Sequence, residues 1–398
     1  MEDENTLKRS LTLTETTMLS IGNIIGAGVF VLLGTIVMRG KDNVLPIFLI
    51  AMTFNLIAAS CYAELGAMYQ SNSMEYQAIN DAYGPWIAKA STVILLLFLI
   101  VTIATLATMF GTYLSDHAQT QFCIALALVF SLSIINFIGI DASKAVTTGL
   151  GSLKLAMLII LISIGVFYIK FSKAIPQTPP QLNVYVLCSF LAIFLFNGYD
   201  AVVKMSDEIK DPQRTIPLSL MISLTTCSVI YILIALLALS MNIQGPRVIN
   251  DLFNNLIQHP LTNPIIYAIG AATIFNTTFI SILALSRFVY GISKDHKIPM
   301  LTQINHRFQT PHNAILAVFI TVCFFLILGN FEYSVILTNT FLIMFMLFLM
   351  TSVIILRKKQ AKRNRPFKIP FNIANVPVPV IIGILMVIFY AVYIPQHL

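Results

Sequence analysis

Gly22-Asn23-Ile24-Ile25-Gly26-Ala27-Gly28-Val29-Phe30 lies inside the first long apolar stretch of the chain. Its three glycines fall within seven residues. Each weakens a helix interior by about 1 kcal/mol relative to alanine, so the spacing predicts a helix that stops and restarts. A second apolar stretch is interrupted by Phe196-Asn197-Gly198-Tyr199-Asp200. Backbone freed at membrane depth is tolerated only where it lines a cavity or is buried in protein. Gly22-x-x-x-Gly26 is also a close-packing motif of paired membrane helices. The added Gly28 and the matched second break favour the interrupted reading.

Working outward, eleven stretches are long enough to cross the roughly 30 Å hydrocarbon core: 16–37, 44–69, 86–114, 121–140, 145–171, 184–205, 217–242, 263–292, 312–330, 333–356 and 376–395. The breaks fall in the first and sixth, corresponding members of two five-helix halves. Matched interruptions of this kind point to an inverted-repeat transport site. The amphipathic 248–257 segment, between Pro246 and Pro260, is expected to cap an opening.

Composition agrees. Of the 398 residues, 57% are apolar and 10% charged, against about 45–50% and about 25% in soluble domains. Mean hydropathy is +0.85. A soluble enzyme, a nucleic-acid binder, a secreted disulfide scaffold and a disordered tail are excluded. The cysteines Cys61, Cys123, Cys188, Cys227 and Cys323 are scattered through apolar stretches and form no metal spacing. No cleavable signal peptide is expected, because residues 1–15 are polar and the first apolar stretch runs on. Nucleotide loops, metalloprotease motifs and nucleophile elbows are missing, so no enzyme activity and no cofactor are expected.

The net charge of +7 becomes an orientation signal. With the N-terminus inside, 18 of the 24 basic residues fall inside, among them Lys8, Arg9, Lys144, Lys204 and the run 357–368. Arg39, Lys41, Lys170, Lys173 and Arg247 fall outside. The basic run is read as an orientation signal and a contact for anionic lipid. Lys154 is left over. It lies ten residues past Lys144, about 15 Å deeper along a helix, and no charge separates it from Lys170. An ammonium at that depth marks an ion or proton path, or snorkels inward.

A half-helix N-terminus offers free N–H groups and partial positive charge. The backbone of Gly26, Ala27 and Gly28 is therefore a candidate seat for a carboxylate. Carbonyls at Ile24, Phe194 and Asn197 are candidates for an ammonium, and Phe194, Phe196 and Tyr199 for a cover. Together they describe a receptor for an α-amino acid. Asp200 is read either as a titrating group or as a helix cap. Glu64, Glu208 and Arg287 are read as an inner gate or as solvated helix ends.

These residues resemble the amino acid–polyamine–organocation superfamily of permeases. The 22–30 segment resembles its first-helix signature. Phe196-Asn197-Gly198-Tyr199-Asp200-Ala201, with the run from Asp207-Glu208 to Ile216-Pro217, resembles the sixth helix and its loop. Ser286-Arg287-Phe288-Val289-Tyr290, Arg365-Pro366-Phe367-Lys368-Ile369-Pro370 and Tyr62-Ala63-Glu64-Leu65-Gly66 fit further motifs. The family's Pro-x-x-Gly-Gly turn after helix two is replaced by Gln70-Ser71-Asn72-Ser73-Met74.

The resemblance implies an all-α integral membrane protein of about 11 transmembrane helices. The fold is the 5+5 inverted-repeat leucine-transporter type with helices 1 and 6 broken. It implies one transport domain over 1–398, with a cytoplasmic segment 1–15, repeats 16–171 and 184–356, and an extra helix 376–395. It also implies an amino-acid substrate, with its carboxylate on the 26–28 turn and its amine near Gly198. Lys154, Thr277 and Asp200 match proton-coupling positions, and Phe194 matches a gate. The expected function is proton-coupled symport in a plasma or bacterial inner membrane, with lipid around the protein and no nucleic acid or obligatory protein partner. An exchanger, a polyamine or organic-amine carrier, a membrane sensor and a channel are the alternatives.

Overall fold

A computed structural model describes residues 9–394, apart from 116, 175–180, 244–247, 306 and 328–330. Lys8 and Arg247, and the side chains of Ala27 and Lys144, lie outside the described residues.

Each of the eleven apolar stretches contains an α-helix, and the first is split. Helix α1 (Leu13–Ile24) stops at Ile25 and Gly26, and α2 (Ala27–Gly40) restarts beyond them. Glu15 accepts hydrogen bonds from the Thr12 N–H and hydroxyl at 2.9 and 2.8 Å, which fixes the start of α1. Next come α3 (Val44–Tyr69), a short α4 (Met74–Tyr83), α5 (Pro85–Leu114), α6 (Ala118–Ile138) and α7 (Ile140–Gly165). The sixth stretch is α8 (Leu182–Leu195), a turn over 196–200, and one helical turn α9 (Ala201–Lys204). Then follow α10 (Pro212–Ser240), α11 (Val248–Leu256), α12 (Thr262–Asp295), α13 (His312–Leu326), α14 (Phe331–Lys359) and α15 (Val378–Tyr393). A two-residue hairpin, β1 (Asn372–Ile373) with β2 (Val376–Pro377), precedes α15.

Seven helical stretches among the described residues are long and apolar enough to cross a membrane, and α8, α13 and α15 are shorter apolar helices. Large apolar side chains such as Phe130, Phe167, Phe324 and Leu385 are exposed on the outer faces. Exposed apolar surface on this scale needs lipid beside it. The protein is therefore an all-α multi-pass membrane protein.

The broken segments sit at the centre. Helix α1 packs on α7, α10 and α12, and α2 on α8 and α10. Helix α11 lies on α2, α7 and α12 with Val248, Ile249, Leu252 and Phe253 buried. The amphipathic segment expected at 248–257 is thus a helix, ending one residue earlier. Helix α4 was not expected. It packs against α5 and α14, in the stretch where the Pro-x-x-Gly-Gly turn is replaced.

Two residues tie the N-terminal segment to the loop after α9. The Ser10 and Leu11 N–H groups donate to the Glu208 carbonyl at 3.0 Å, and the Lys210 N–H donates to the Leu11 carbonyl at 2.8 Å.

Candidate functional site

Gly26 caps α2 in an extended conformation, and a Cβ there would stand 2.8 Å from Thr277 Cγ2. Gly198 has φ +114°, and a Cβ there would stand 2.7 Å from Asn23 Nδ2. Both breaks therefore need glycine, one for close approach and one for backbone conformation as well. They are also joined: Asn23 Nδ2 donates to the Gly198 carbonyl at 2.8 Å.

A cavity of about 50 Å³ opens between the breaks, room for a few water molecules at roughly 10–15 Å³ each. Ile24, Gly26, Gly28, Phe194, Asn197 and Gly198, the candidate substrate residues, line it, together with Asp200, Thr277, Asn23 and Ser281. Sequence reasoning missed Phe98, Leu99, Thr102 and Leu106, one face of α5. Their 3–4 residue spacing was the available signal, but α5 is apolar all round and the face does not stand out.

The candidate ammonium acceptors are partly engaged. The Tyr231 hydroxyl donates to the Ile24 carbonyl at 2.8 Å, and the Asn197 N–H donates to the Phe194 carbonyl at 3.1 Å. Asn197 Nδ2 is buried without a partner among the described residues. Tyr199 is not on the cavity wall. The turn at Gly198 carries it onto Tyr62 of α3, ring centroids 5.8 Å apart, so it does not cover the cavity. Phe196 likewise packs on Tyr231 at 5.3 Å.

Lys154 stands behind the first break, not in the cavity. Its Nζ donates to the Gly22 carbonyl, to the Ile25 carbonyl at 2.5 Å and to Thr277 Oγ1 at 3.5 Å. The side chain is 1% exposed. It does not snorkel: the ammonium is spent on the carbonyls that the end of α1 leaves free.

The charges read above as an inner gate or as helix ends fall in separate clusters. Arg287 Nε donates to Glu208 Oε1 at 2.7 Å, and Arg287 Nη1 to Asn136 Oδ1 at 2.6 Å. Glu64 is elsewhere. It takes Arg357 at 2.8 and 2.5 Å, Arg365 at 3.3 Å and the Ile369 N–H at 3.0 Å. Arg357 was assigned to the lipid-facing run, but it is 1% exposed because Glu64 holds it beneath the hairpin segment. Lys204, assigned to the solvated inner side, is fully buried and pairs with Asp200 at 2.6 Å and Glu75 at 2.7 Å. In the loop after α9, burial pushes the Asp207 carboxyl up to about 6. Lys294 and Arg9 pull it down, and Glu208 and Asp295 push it up.

A cavity between two broken helices in an apolar helical bundle fits a transporter. The family model described as amino acid permease matches residues 11–397. The chain belongs to the amino acid permease family. Relatives of this permease include a methylthioribose transporter of Bacillus subtilis, 25% identical over 92% of this chain and 85% of its own length. The branched-chain amino acid permease BcaP of the same organism is 24% identical over 96% and 86%. The human cystine/glutamate transporter is 25% identical over 92% and 77%. The family is one of membrane transporters, which fits a small-molecule substrate for this permease.

Proposed function

We propose that this permease is a proton-coupled symporter of small neutral α-amino acids, working by alternating access within one transport domain. The observation that carries the reading is Lys154 on the first break. A covalently held cation bonded to the Gly22 and Ile25 carbonyls ties the geometry of that break to the protonation state of one side chain. A neutral lysine donates more weakly to two carbonyls, so proton loss loosens the end of α1.

The substrate carboxylate sits on the N–H groups at the start of α2, where small residues admit an anion. Its ammonium sits against the carbonyls of the sixth segment. Asp200 lines the cavity, but its charge is engaged by Lys204, which disfavours a cationic side chain. The small cavity and the apolar α5 face favour a short, uncharged one. Arg287–Glu208 and Glu64–Arg357 hold the inner side shut, and Phe194 covers the substrate.

The Bacillus methylthioribose transporter favours a second reading, uptake of a small neutral solute that is not an amino acid. Both are tested by uptake into proteoliposomes under an imposed proton gradient, with unlabelled amino acids and methylthioribose as competitors. Gradient-driven accumulation of an amino acid is the expected result. Binding without accumulation overturns the coupling, and competition by methylthioribose alone overturns the substrate.

A further inference from the structure

Beneath the central cavity lies a buried charge cluster whose signs do not cancel. Lys204 Nζ donates to Asp200 Oδ2 at 2.6 Å and to Glu75 Oε1 at 2.7 Å. Lys204 and Glu75 are fully buried, and Asp200 is 8% exposed where it meets the cavity. Two carboxylates face one ammonium. The neighbouring elements add aromatic groups: Tyr62 of α3 and Phe288 of α12 stand 5.7 and 5.6 Å from Lys204 Nζ, and Tyr199 packs on Tyr62. Glu75 and Lys204 each feel the charge of the other and of Asp200. Glu75 Oε2 is buried with no hydrogen-bond partner among the described residues.

An uncompensated carboxylate oxygen out of water costs several kcal/mol. The inexpensive remedy is a proton. Burial pushes the Glu75 carboxyl up, against the opposing pull of Lys204.

We propose that Glu75, Lys204 and Asp200 form a proton-binding site holding one exchangeable proton, with Asp200 as its door to the cavity and Glu75 as its resting place. The exchange balances. Lys204 passes a proton to Glu75 and regains one that enters from the cavity past Asp200, so it ends as the ammonium it began. Glu75 is carried by α4 and its partners by the sixth segment, so separating the two elements exposes the proton to the inner side. This deepens the symport reading by naming a second carrier of the coupling proton besides Lys154.

The test is infrared difference spectroscopy on the full-length protein in liposomes, scanned through neutral pH and above the range in which exposed carboxyls titrate. Asp207→Asn serves as background so that its carboxyl does not contribute. The expected result is one titrating protonated-carboxyl band. It vanishes in Glu75→Gln, persists at a shifted frequency in Glu75→Asp, and changes when substrate is added. A background protein with no titrating carboxyl band overturns the proposal, and this arm needs no variant of the triad. A band unchanged in Glu75→Gln overturns it as well. The band without gradient-driven uptake removes the symport reading and leaves the proton site standing. Gradient-driven uptake without the band does the reverse.

Discussion

At the scale of single residues, Gly26 and Lys154 hold the two sides of the first break. The Thr277 side chain approaches the missing Cβ of Gly26 to 2.8 Å at Cγ2 and 3.0 Å at Oγ1. Gly26→Ala is therefore overpacked, at about 1–3 kcal/mol, and is expected to weaken substrate binding roughly tenfold. Thr277→Ser removes Cγ2 and keeps the hydroxyl, so adding it to Gly26→Ala should recover part of that affinity in a binding titration. Lys154→Ala removes the donor to the Gly22 and Ile25 carbonyls. Its uptake should lose dependence on pH, and an unchanged pH profile would reject the role. Asp207 gives a stability prediction. Its folded value, near 6, lies above its ordinary 3.8, so the folded protein binds more protons between those values. This contribution to stability is therefore full below the ordinary value and is lost as pH rises through about 6. Asp207→Asn should flatten that share of the pH dependence of thermal unfolding. Lys154 was legible from depth alone, since no charge separates it from Lys170. Lys204 was not. Four residues after Asp200, it looks like a helix-end charge, and only α4 lying over it shows that it is buried.

At the scale of elements, buried ion pairs join segments far apart in the chain. Arg287 on α12 meets Glu208 after α9, and Glu64 on α3 meets Arg357 at the end of α14. Removing one partner of a buried pair typically costs about 3–5 kcal/mol, whereas replacing both is often near neutral. Arg287→Met should therefore unfold at a clearly lower temperature than Arg287→Met with Glu208→Gln, measured by thermal shift in detergent. Equal losses would mean that the pair carries no such coupling. The helices themselves were legible, because long apolar runs have few alternatives in lipid. The pairings were not, because nothing local in Glu64 or Arg357 encodes a partner 293 residues away. The cavity-facing side of α5 was hidden for the opposite reason: every face of that helix is apolar enough to be the buried one.

For the whole molecule, the distribution of basic residues predicts an inner N-terminus. An N-terminal epitope should be reached by an impermeant probe in inside-out vesicles and not in right-side-out ones; the opposite labelling would invert the transport cycle drawn above. The bonds joining Ser10 and Leu11 to Glu208 and Lys210 have a mechanical consequence. They splice the root of α1 to the loop after α9, so a shift of one root is expected to carry the other. Stapling that splice with a disulfide between Leu11→Cys and Ile209→Cys should leave turnover intact, because it joins parts that already swing together.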